Sequence, residues 1–170
     1  MFSVINPKLN QVIPAKLKIS IFKTLVVSIL LYGCEAWTIS PMYSSKINSF
    51  GTSCLRRIIG VQRLDKITNI EIYRRTGEKQ LMNQVRKRQL GWLGHVLRRP
   101  TKFEPSRTFA LYEPTHGSAK RGRKKLSYAK QIAGMLFENP DVITTKDITG
   151  KATDRKQWTK IVADCSNAAP

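Results

Sequence analysis

Acidic residues are scarce in this sequence. Eleven Asp and Glu are dispersed through 170 residues against 30 Lys and Arg, which gives a formal net charge of +19. There are no paired carboxylates, no phosphate-binding glycine loop and no nucleophile-elbow motif, so neither two-metal chemistry nor a common hydrolase mechanism has an obvious residue set. The imbalance instead indicates a polyanionic partner, and nucleic acid is the commonest of these.

Cysteine and histidine are also few. Cys34, Cys54 and Cys165 lie far apart, and the two histidines are His95 and His116. An odd number of widely spaced cysteines does not build a disulfide framework, and the lack of a C-x-x-C pair argues against zinc. We therefore expect buried thiols in a reducing compartment, with no metal site and no cofactor in this chain.

Long apolar runs are missing as well. The apolar run at residues 25–32 has less than half of the roughly 20 residues that a membrane span requires. The first ten residues lack the basic and apolar regions of a secretory signal. We expect an intracellular protein without a membrane partner. Because 41% of its residues are hydrophobic, the chain can form a core, and we expect the run at 25–32 to be a helix buried in that core.

The hydrophobic periodicity is helical. Leu17, Ile21, Leu25, Ile29 and Tyr32 recur at three- and four-residue steps and predict a helix from residue 14 to about residue 32. The same reasoning, with glycine stops and N-cap residues, predicts further helices at residues 42–59, 69–76, 78–99, 127–137 and 153–165. We predict an all-α fold, an irregular bundle of about five or six helices with a long basic loop.

Composition divides the chain into four segments. Residues 1–40 hold the first helix and a connector, residues 41–103 form a basic helical region, residues 104–126 form a basic loop, and residues 127–170 hold the C-terminal helices. The prolines and glycines of residues 100–125 indicate irregular structure, and residues 138–151 are predicted to be a second loop.

Positive charge is concentrated in the second and third segments. Twelve Lys and Arg lie between Arg56 and Arg99 against three acidic residues. On the predicted helix 78–99 the apolar residues fill about half of the circumference and cations lie on the other half, which is typical of domains that hold a phosphate backbone. The run at residues 120–125 resembles a nuclear localisation or nucleic-acid patch, so the nucleus is the expected compartment. We predict nucleic-acid contacts from Arg56, Arg57, Arg86, Lys87, Arg88, His95, Arg98, Arg99, Lys120, Arg121, Arg123, Lys124 and Lys125.

Several residues on the helix 78–99 permit two interpretations. Gly91 and Gly94 are placed on its basic side, where a missing side chain admits either a phosphate-sugar strand or a neighbouring helix, with helix packing slightly favoured. His95 has no titratable partner nearby, so a structural hydrogen bond or a phosphate contact is favoured over catalysis. Trp92 lies among the apolar residues and is expected to pack in the core rather than to stack on a base. The position of Trp158 stays open.

Six ordered blocks resemble a known family. They include LLYGCEAWTIS, CLRRIIGV, ITNIEIYRRTG, RKRQLGWLGHVLRR, RGRKK and ATDRKQWTKIV. In this order they resemble the C-terminal end of a non-LTR (LINE-type) retrotransposon endonuclease-reverse transcriptase, an RNA-directed DNA polymerase. The resemblance covers about residues 14–163, and Gly94 and His95 match the family's Gly-His pair.

The resemblance implies a location within a polymerase. Residues 13–40 correspond to the thumb that follows the catalytic palm, and the remainder corresponds to a basic helical C-terminal region. The family's palm holds a divalent metal, Mg²⁺, on aspartates, and this chain is expected to begin after them, so we expect no activity from the chain alone.

The resemblance leads to two interpretations of the function. The first is a non-catalytic part of a transposable element that holds template RNA or target DNA through phosphate contacts, with the thumb packed on the palm. The alternative is a degenerate truncated copy without independent function, which folds poorly because Leu25, Ile29 and Trp37 lack their partners.

Overall fold

Eight helices and no strand form the described part of the protein, a computed structural model that describes residues 13–99, 105–112, 127–136 and 145–166. This confirms the predicted all-α fold, with slightly more helices than expected. Helix α1 comprises Ala15–Ile21, a π-helical segment Phe22–Val27, and Ser28–Leu30. The others are α2 (Pro41–Ile59), α3 (Asn69–Thr76), α4 (Leu81–Leu97), α5 (Pro105–Ala110), α6 (Tyr128–Leu136), α7 (Thr145–Thr153) and α8 (Arg155–Ser166).

Two predicted loops contain helices, and in those stretches the prediction was wrong. Helix α5 lies within the predicted loop 100–125, where Pro105 is a favourable first helical residue and Ala110 is buried. Helix α7 lies partly within the predicted loop 138–151 and is anchored by Ile148 and Ala152, one turn apart and both buried. Each helix has only one or two apolar anchors, too few to produce a visible period in the sequence.

The apolar stripe predicted to be buried on α1 is exposed. Leu25 and Ile29 are 59% and 77% exposed, whereas Phe22 and Leu31 are 3% and 0% exposed. The cause is the π-helical segment, because i→i+5 hydrogen bonding gives more residues per turn than the α-helix assumed from sequence. The buried side therefore runs through Phe22, Val27 and Leu31, and the prediction that residues 25–32 form a buried helix holds for only part of the run.

The chain divides into two compact units. Unit 1 takes its described residues from 1–32 and 46–81, and unit 2 from 33–45 and 82–169. In unit 1 the Lys23 ammonium forms a 3.0 Å ion pair with Glu78, and the Asn48 side chain donates to Gln80 Oε1 at 2.8 Å. The core of unit 2 consists of Leu90, Leu93, Leu97, Ala110, Tyr128, Ile132, Ala133, Ile148, Ala152 and Trp158.

A buried polar network fixes the connector between α1 and α2 within unit 2. The side-chain amide of Gln89 donates to the carbonyl oxygens of Cys34 at 3.0 Å and Trp37 at 2.8 Å. Gln131 donates to Gln89 Oε1 at 3.1 Å and accepts the backbone N–H of Ile39. These bonds satisfy buried groups of a connector whose own regular structure is a short 3-10 helix, Cys34–Ala36. Among the described residues, no helix is long and apolar enough to cross a bilayer.

Candidate nucleic-acid interface

One side of α4 is exposed and basic. Lys87, Arg88, Gly91 and His95 are exposed; the first two are adjacent, and Gly91 and His95 follow at steps of three and four residues. We call these four residues the α4 basic side. The opposite side of the helix is buried, with Val85, Gln89 and Leu93 at 1% exposure or less. The predicted division of this helix into an apolar and a basic half is therefore present in the structure.

The two glycines of α4 have different surroundings. A Cβ at Gly91 would meet no atom within 4 Å, so the helix backbone is open at the centre of the α4 basic side. A Cβ at Gly94 would overlap the indole ring of Trp158. The placement of both glycines on the basic side was thus wrong for Gly94, which is buried and allows α8 to approach α4.

Two tryptophans pack in the core of unit 2. Trp158 is 3% exposed, and its indole nitrogen donates to the carbonyl oxygen of Leu90 at 2.9 Å. Trp92 is half-buried and meets the ring of Tyr128 edge-on, with ring centroids 6.0 Å apart. Trp92 therefore packs as predicted, and the position left open for Trp158 is a core position.

Some of the predicted cations bond to the protein itself. Arg98 is half-buried, and its Nη1 donates to the carbonyl oxygen of Ala152 at 3.0 Å near the end of α7. A cation at a helix C-terminus satisfies a free carbonyl and interacts favourably with the helix dipole. Arg86 is also half-buried, whereas Arg99 is exposed just beyond the end of α4. Arg98 and Arg86 thus present less of their surface than the residues of the α4 basic side.

Arg56 and Arg57 lie in unit 1, near the end of α2. The Arg56 Nη2 donates to the carbonyl oxygen of Ile67 and, at 3.1 Å, to Asn69 Oδ1. Both acceptors are neutral, and no carboxylate within the described ranges forms an ion pair with Arg56 or Arg57. Both positive charges therefore remain uncompensated by such a pair.

The two arginines line an open cleft of about 690 Å³ in unit 1. Its other walls come from hydroxyl-bearing residues of α2 and from the segment that joins α2 to α3. Sequence reasoning singled out the arginines but missed the cleft. The signal that could have shown it is the spacing of Ser49, Thr52, Ser53 and Arg56 on one side of a helix.

The remaining predicted contacts, Lys120, Arg121, Arg123, Lys124 and Lys125, lie outside the described residues. No group of three metal-ligating side chains occurs within the parts of the chain that are described.

The three cysteines are free thiols. Cys34 is fully buried, and Cys54 and Cys165 are half-buried. Burial raises the pKa of each thiol above its ordinary value of 9.0, so the neutral form dominates at pH 7. Because the thiolate is the reactive form, all three are expected to react slowly.

This chain is similar to an uncharacterized transposon-derived protein of Caenorhabditis elegans, with 27% identity over 168 residues. The similarity covers 90% of this chain and 56% of that protein, so the chain spans about half the length of the curated relative that it matches. No family model matches the chain, and no solved structure matches it.

Proposed function

We propose that this chain has a transposon-related origin and is a nucleic-acid-binding region of a non-LTR retrotransposon reverse transcriptase. It holds template RNA or target DNA through phosphate contacts and performs no catalysis by itself. The observation that supports this most is the α4 basic side, in which two exposed cations and a histidine lie beside an open stretch of helix backbone. The similarity to a transposon-derived protein and the six ordered sequence blocks support the origin.

Phosphate binding follows from the arrangement of charge on α4. Lys87 and Arg88 place positive charge on an exposed surface, and cations that neutralise phosphates gain affinity by releasing counterions. Gly91 lies between them and His95, and its lack of a side chain lets a sugar-phosphate strand come close to the helix. The net charge of +19 adds a long-range attraction for any polyanion.

The dependence of binding on salt tests this function. Fluorescence anisotropy with a labelled single-stranded RNA and with a duplex DNA, each between 50 and 200 mM salt, gives the log-log slope of affinity. The slope should be about −0.9 per phosphate contact on the duplex and about −0.7 on the single strand. Changing both Lys87 and Arg88 to Glu should remove at least two phosphate contacts. The magnitude of the salt slope on the duplex should therefore fall by at least about 1.8.

A matched control separates the interface from the overall charge. Lys146 and Lys156 are exposed on α7 and α8, and changing both to Glu alters the net charge by the same amount. We expect a smaller loss of affinity from this control. A wild-type slope near zero would exclude phosphate binding, and equal losses in the two double variants would exclude the α4 basic side as the interface.

The exposed side of α1 supports contact with a polymerase palm. Four residues of this helix and one just beyond its end are between 38% and 86% exposed: Leu17, Ile21, Leu25, Ile29 and Tyr32. Such a continuous apolar row on a helix is more typical of an interface than of a solvated surface. In a reverse transcriptase the palm is the domain that would cover it. Pull-down of a purified palm by wild-type chain, but not by an Ile29→Lys variant, is the expected result, and equal recovery would contradict it.

The alternative is a degenerate copy that folds poorly. In such a copy the same exposed apolar row would have no partner. The alternative predicts broad, non-cooperative unfolding of the isolated chain. We expect cooperative unfolding instead, since the described part of unit 2 has a core of ten buried residues and a buried polar network. Circular dichroism during heating measures the difference.

A further inference from the structure

We infer that the cleft beside Arg56 and Arg57 binds one unpaired nucleotide of a single-stranded nucleic acid. This inference rests on the proposed function and makes it more specific, because it names the form of nucleic acid that unit 1 recognises. It concerns a site separate from the α4 basic side, which belongs to unit 2. The support comes from the fixed position of one arginine, the chemistry of the two walls and the size of the cleft.

Arg56 is held in place by bonds that use only one of its nitrogens. Its Nη2 donates to the carbonyl oxygen of Ile67 and to Asn69 Oδ1, whereas Nε and Nη1 form no hydrogen bond within the described part of the chain. A guanidinium that is positioned in advance loses less conformational entropy when it binds a further acceptor. The unused donors therefore suit a phosphate oxygen, which arginine recognises with two parallel hydrogen bonds.

One wall of the cleft is a side of α2. Ser49, Ser53 and Arg57 follow at four-residue intervals and are exposed, and the hydroxyl groups of the two serines form no hydrogen bond to any described residue. The hydroxyl of Thr52, by contrast, is occupied by the carbonyl oxygen of Asn48 at 2.9 Å and by the Tyr73 hydroxyl at 2.7 Å. This wall thus offers a second cation and two free hydroxyl groups, which together suit the sugar-phosphate part of a nucleotide.

The other wall comes from the segment between α2 and α3 and from the first residue of α3. Val61 and Ile67 are half-buried apolar residues, and Gln62 and Asn69 are exposed carboxamides. Apolar side chains provide a surface for the flat side of a base, and carboxamides pair with its hydrogen-bonding edge. The position of Gln62 is fixed by a capping box, in which its backbone N–H donates to the Asp65 carboxylate at 2.7 Å.

The size of the cleft favours an unpaired nucleotide over a duplex. Its volume of about 690 Å³ lies within the range of small-molecule sites, roughly 300–1,000 Å³. A paired base cannot enter such a space without leaving its helix, which costs a few kcal/mol. A single strand offers its bases without that cost, and so the cleft should distinguish single strands from duplexes.

The test places a large side chain in the cleft and leaves Arg56 unchanged, because the hydrogen bonds of Arg56 join the two walls. Ser53→Phe places a large side chain in the cleft, and Ser45→Phe makes the same change at an exposed position of α2 that does not line it. Binding of a labelled 12-nucleotide single strand and of the matching duplex is measured by anisotropy. We expect Ser53→Phe to weaken single-strand binding about tenfold, within the range for loss of one base contact, and to leave duplex binding within about twofold.

Arg57→Gln serves as a second variant if Ser53→Phe fails to fold. Arg57 is exposed and its guanidinium forms no hydrogen bond within the described residues, so its replacement should leave the fold intact while weakening single-strand binding. Lys156→Gln is its charge-matched control. Circular dichroism confirms that each variant is folded before binding is measured.

Each outcome separates the cleft from the proposed function. If the wild-type chain binds neither oligonucleotide, both the function and the cleft are excluded. If the wild type binds but Ser53→Phe and Ser45→Phe behave alike, or duplex binding falls as much as single-strand binding, only the cleft is excluded. Adenosine monophosphate that binds as tightly as the 12-nucleotide strand would show a site for free nucleotides and would also overturn the inference.

Discussion

Gln89 and Gln131 share a buried hydrogen bond of 3.1 Å, although they lie 42 residues apart on α4 and α6. Through it the two side chains act as one unit that bonds the backbone of Cys34, Trp37 and Ile39. Gln89 has no exposed surface, so each of its bonds replaces water that is excluded. The connector before α2 is therefore held by side chains of α4 and α6 in addition to its own short 3-10 helix, Cys34–Ala36.

Replacing Gln89 with Met should lower the free energy of unfolding by about 1–3 kcal/mol, because the carbonyl oxygens of Cys34 and Trp37 lose a buried donor. Gln131→Met should lower the free energy of unfolding by less, because it removes fewer hydrogen bonds. Urea denaturation of both single variants and the double variant gives the coupling energy, expected at about 0.5–3 kcal/mol. Strictly additive losses would show that the two side chains act independently.

The same variant should make Cys34 accessible to a thiol reagent. Cys34 is fully buried in the wild type and reacts only when the connector opens, whereas Cys54 and Cys165 are half-buried. We expect Gln89→Met to raise the labelling rate of Cys34 in mass spectrometry and to leave that of Cys54 unchanged. Equal acceleration at both cysteines would indicate global unfolding instead of local opening.

The two glycines of α4 should respond in opposite directions to the same substitution. Gly91→Ala should stabilise the protein by roughly 1 kcal/mol, because alanine favours the helix and meets no neighbouring atom. Gly94→Ala should destabilise it by about 1–3 kcal/mol, because the new methyl group overlaps the Trp158 indole. Thermal melts compare the two directly, and a stabilising Gly94→Ala would contradict the packing of α8 on α4.

The affinity of Gly91→Ala for nucleic acid tests contact at this position independently of the variant's effect on stability. If a sugar-phosphate strand passes close to the backbone at Gly91, the more stable variant should bind nucleic acid more weakly than the wild type. Unchanged affinity would leave Gly91 as a solvated helix position and would restrict phosphate contacts to the long side chains of the α4 basic side.

Glu71 should titrate at unusually low pH. Hydrogen bonds from Arg74 and Arg75 lower the pKa of its carboxyl from 4.5 to about 2. The folded state thus prefers the ionised form, so this carboxylate contributes stability above pH 4.5 and loses that contribution as the pH falls toward 2. NMR titration of the Glu71 side chain should show the low midpoint, and Arg74→Gln should raise it. A midpoint near 4.5 in the folded wild type would contradict the ion pairs.

Two leucines, Leu25 on α1 and Leu31 directly after its end, provide a matched test of its orientation. Leu31→Ala should cost about 2–5 kcal/mol, because Leu31 is completely buried. Leu25→Ala should change the stability of the isolated chain by no more than about 0.5 kcal/mol, because Leu25 is 59% exposed. Denaturant titration checks both. Similar losses would place Leu25 in the core, as the sequence alone predicts.

Sequence reasoning recovered features that depend on long regular periods. The division of α4 follows from seventeen residues of α-helical pattern, and the stop at Gly77, whose φ of +67° suits glycine, follows from local chemistry. It could not place Gly94, since the residue lies at the border between the two sides of the helix and its neighbour Trp158 comes from α8. It could not foresee that Arg98 and Arg56 bond to backbone carbonyl oxygens, because such partners are set by tertiary structure.

The π-helical segment of α1 behaves as one extra residue in an otherwise ordinary helix. Phe22, Val27 and Leu31 are spaced by five and four residues, so loss of any one residue from 23–26 would restore an even four-residue spacing. The buried positions would then keep their alignment, and so would Ile21 and Ile29, because each lies on the same flanking segment as a buried position. A single-codon deletion there should thus be tolerated, with the π-helical segment replaced by a regular α-helical turn.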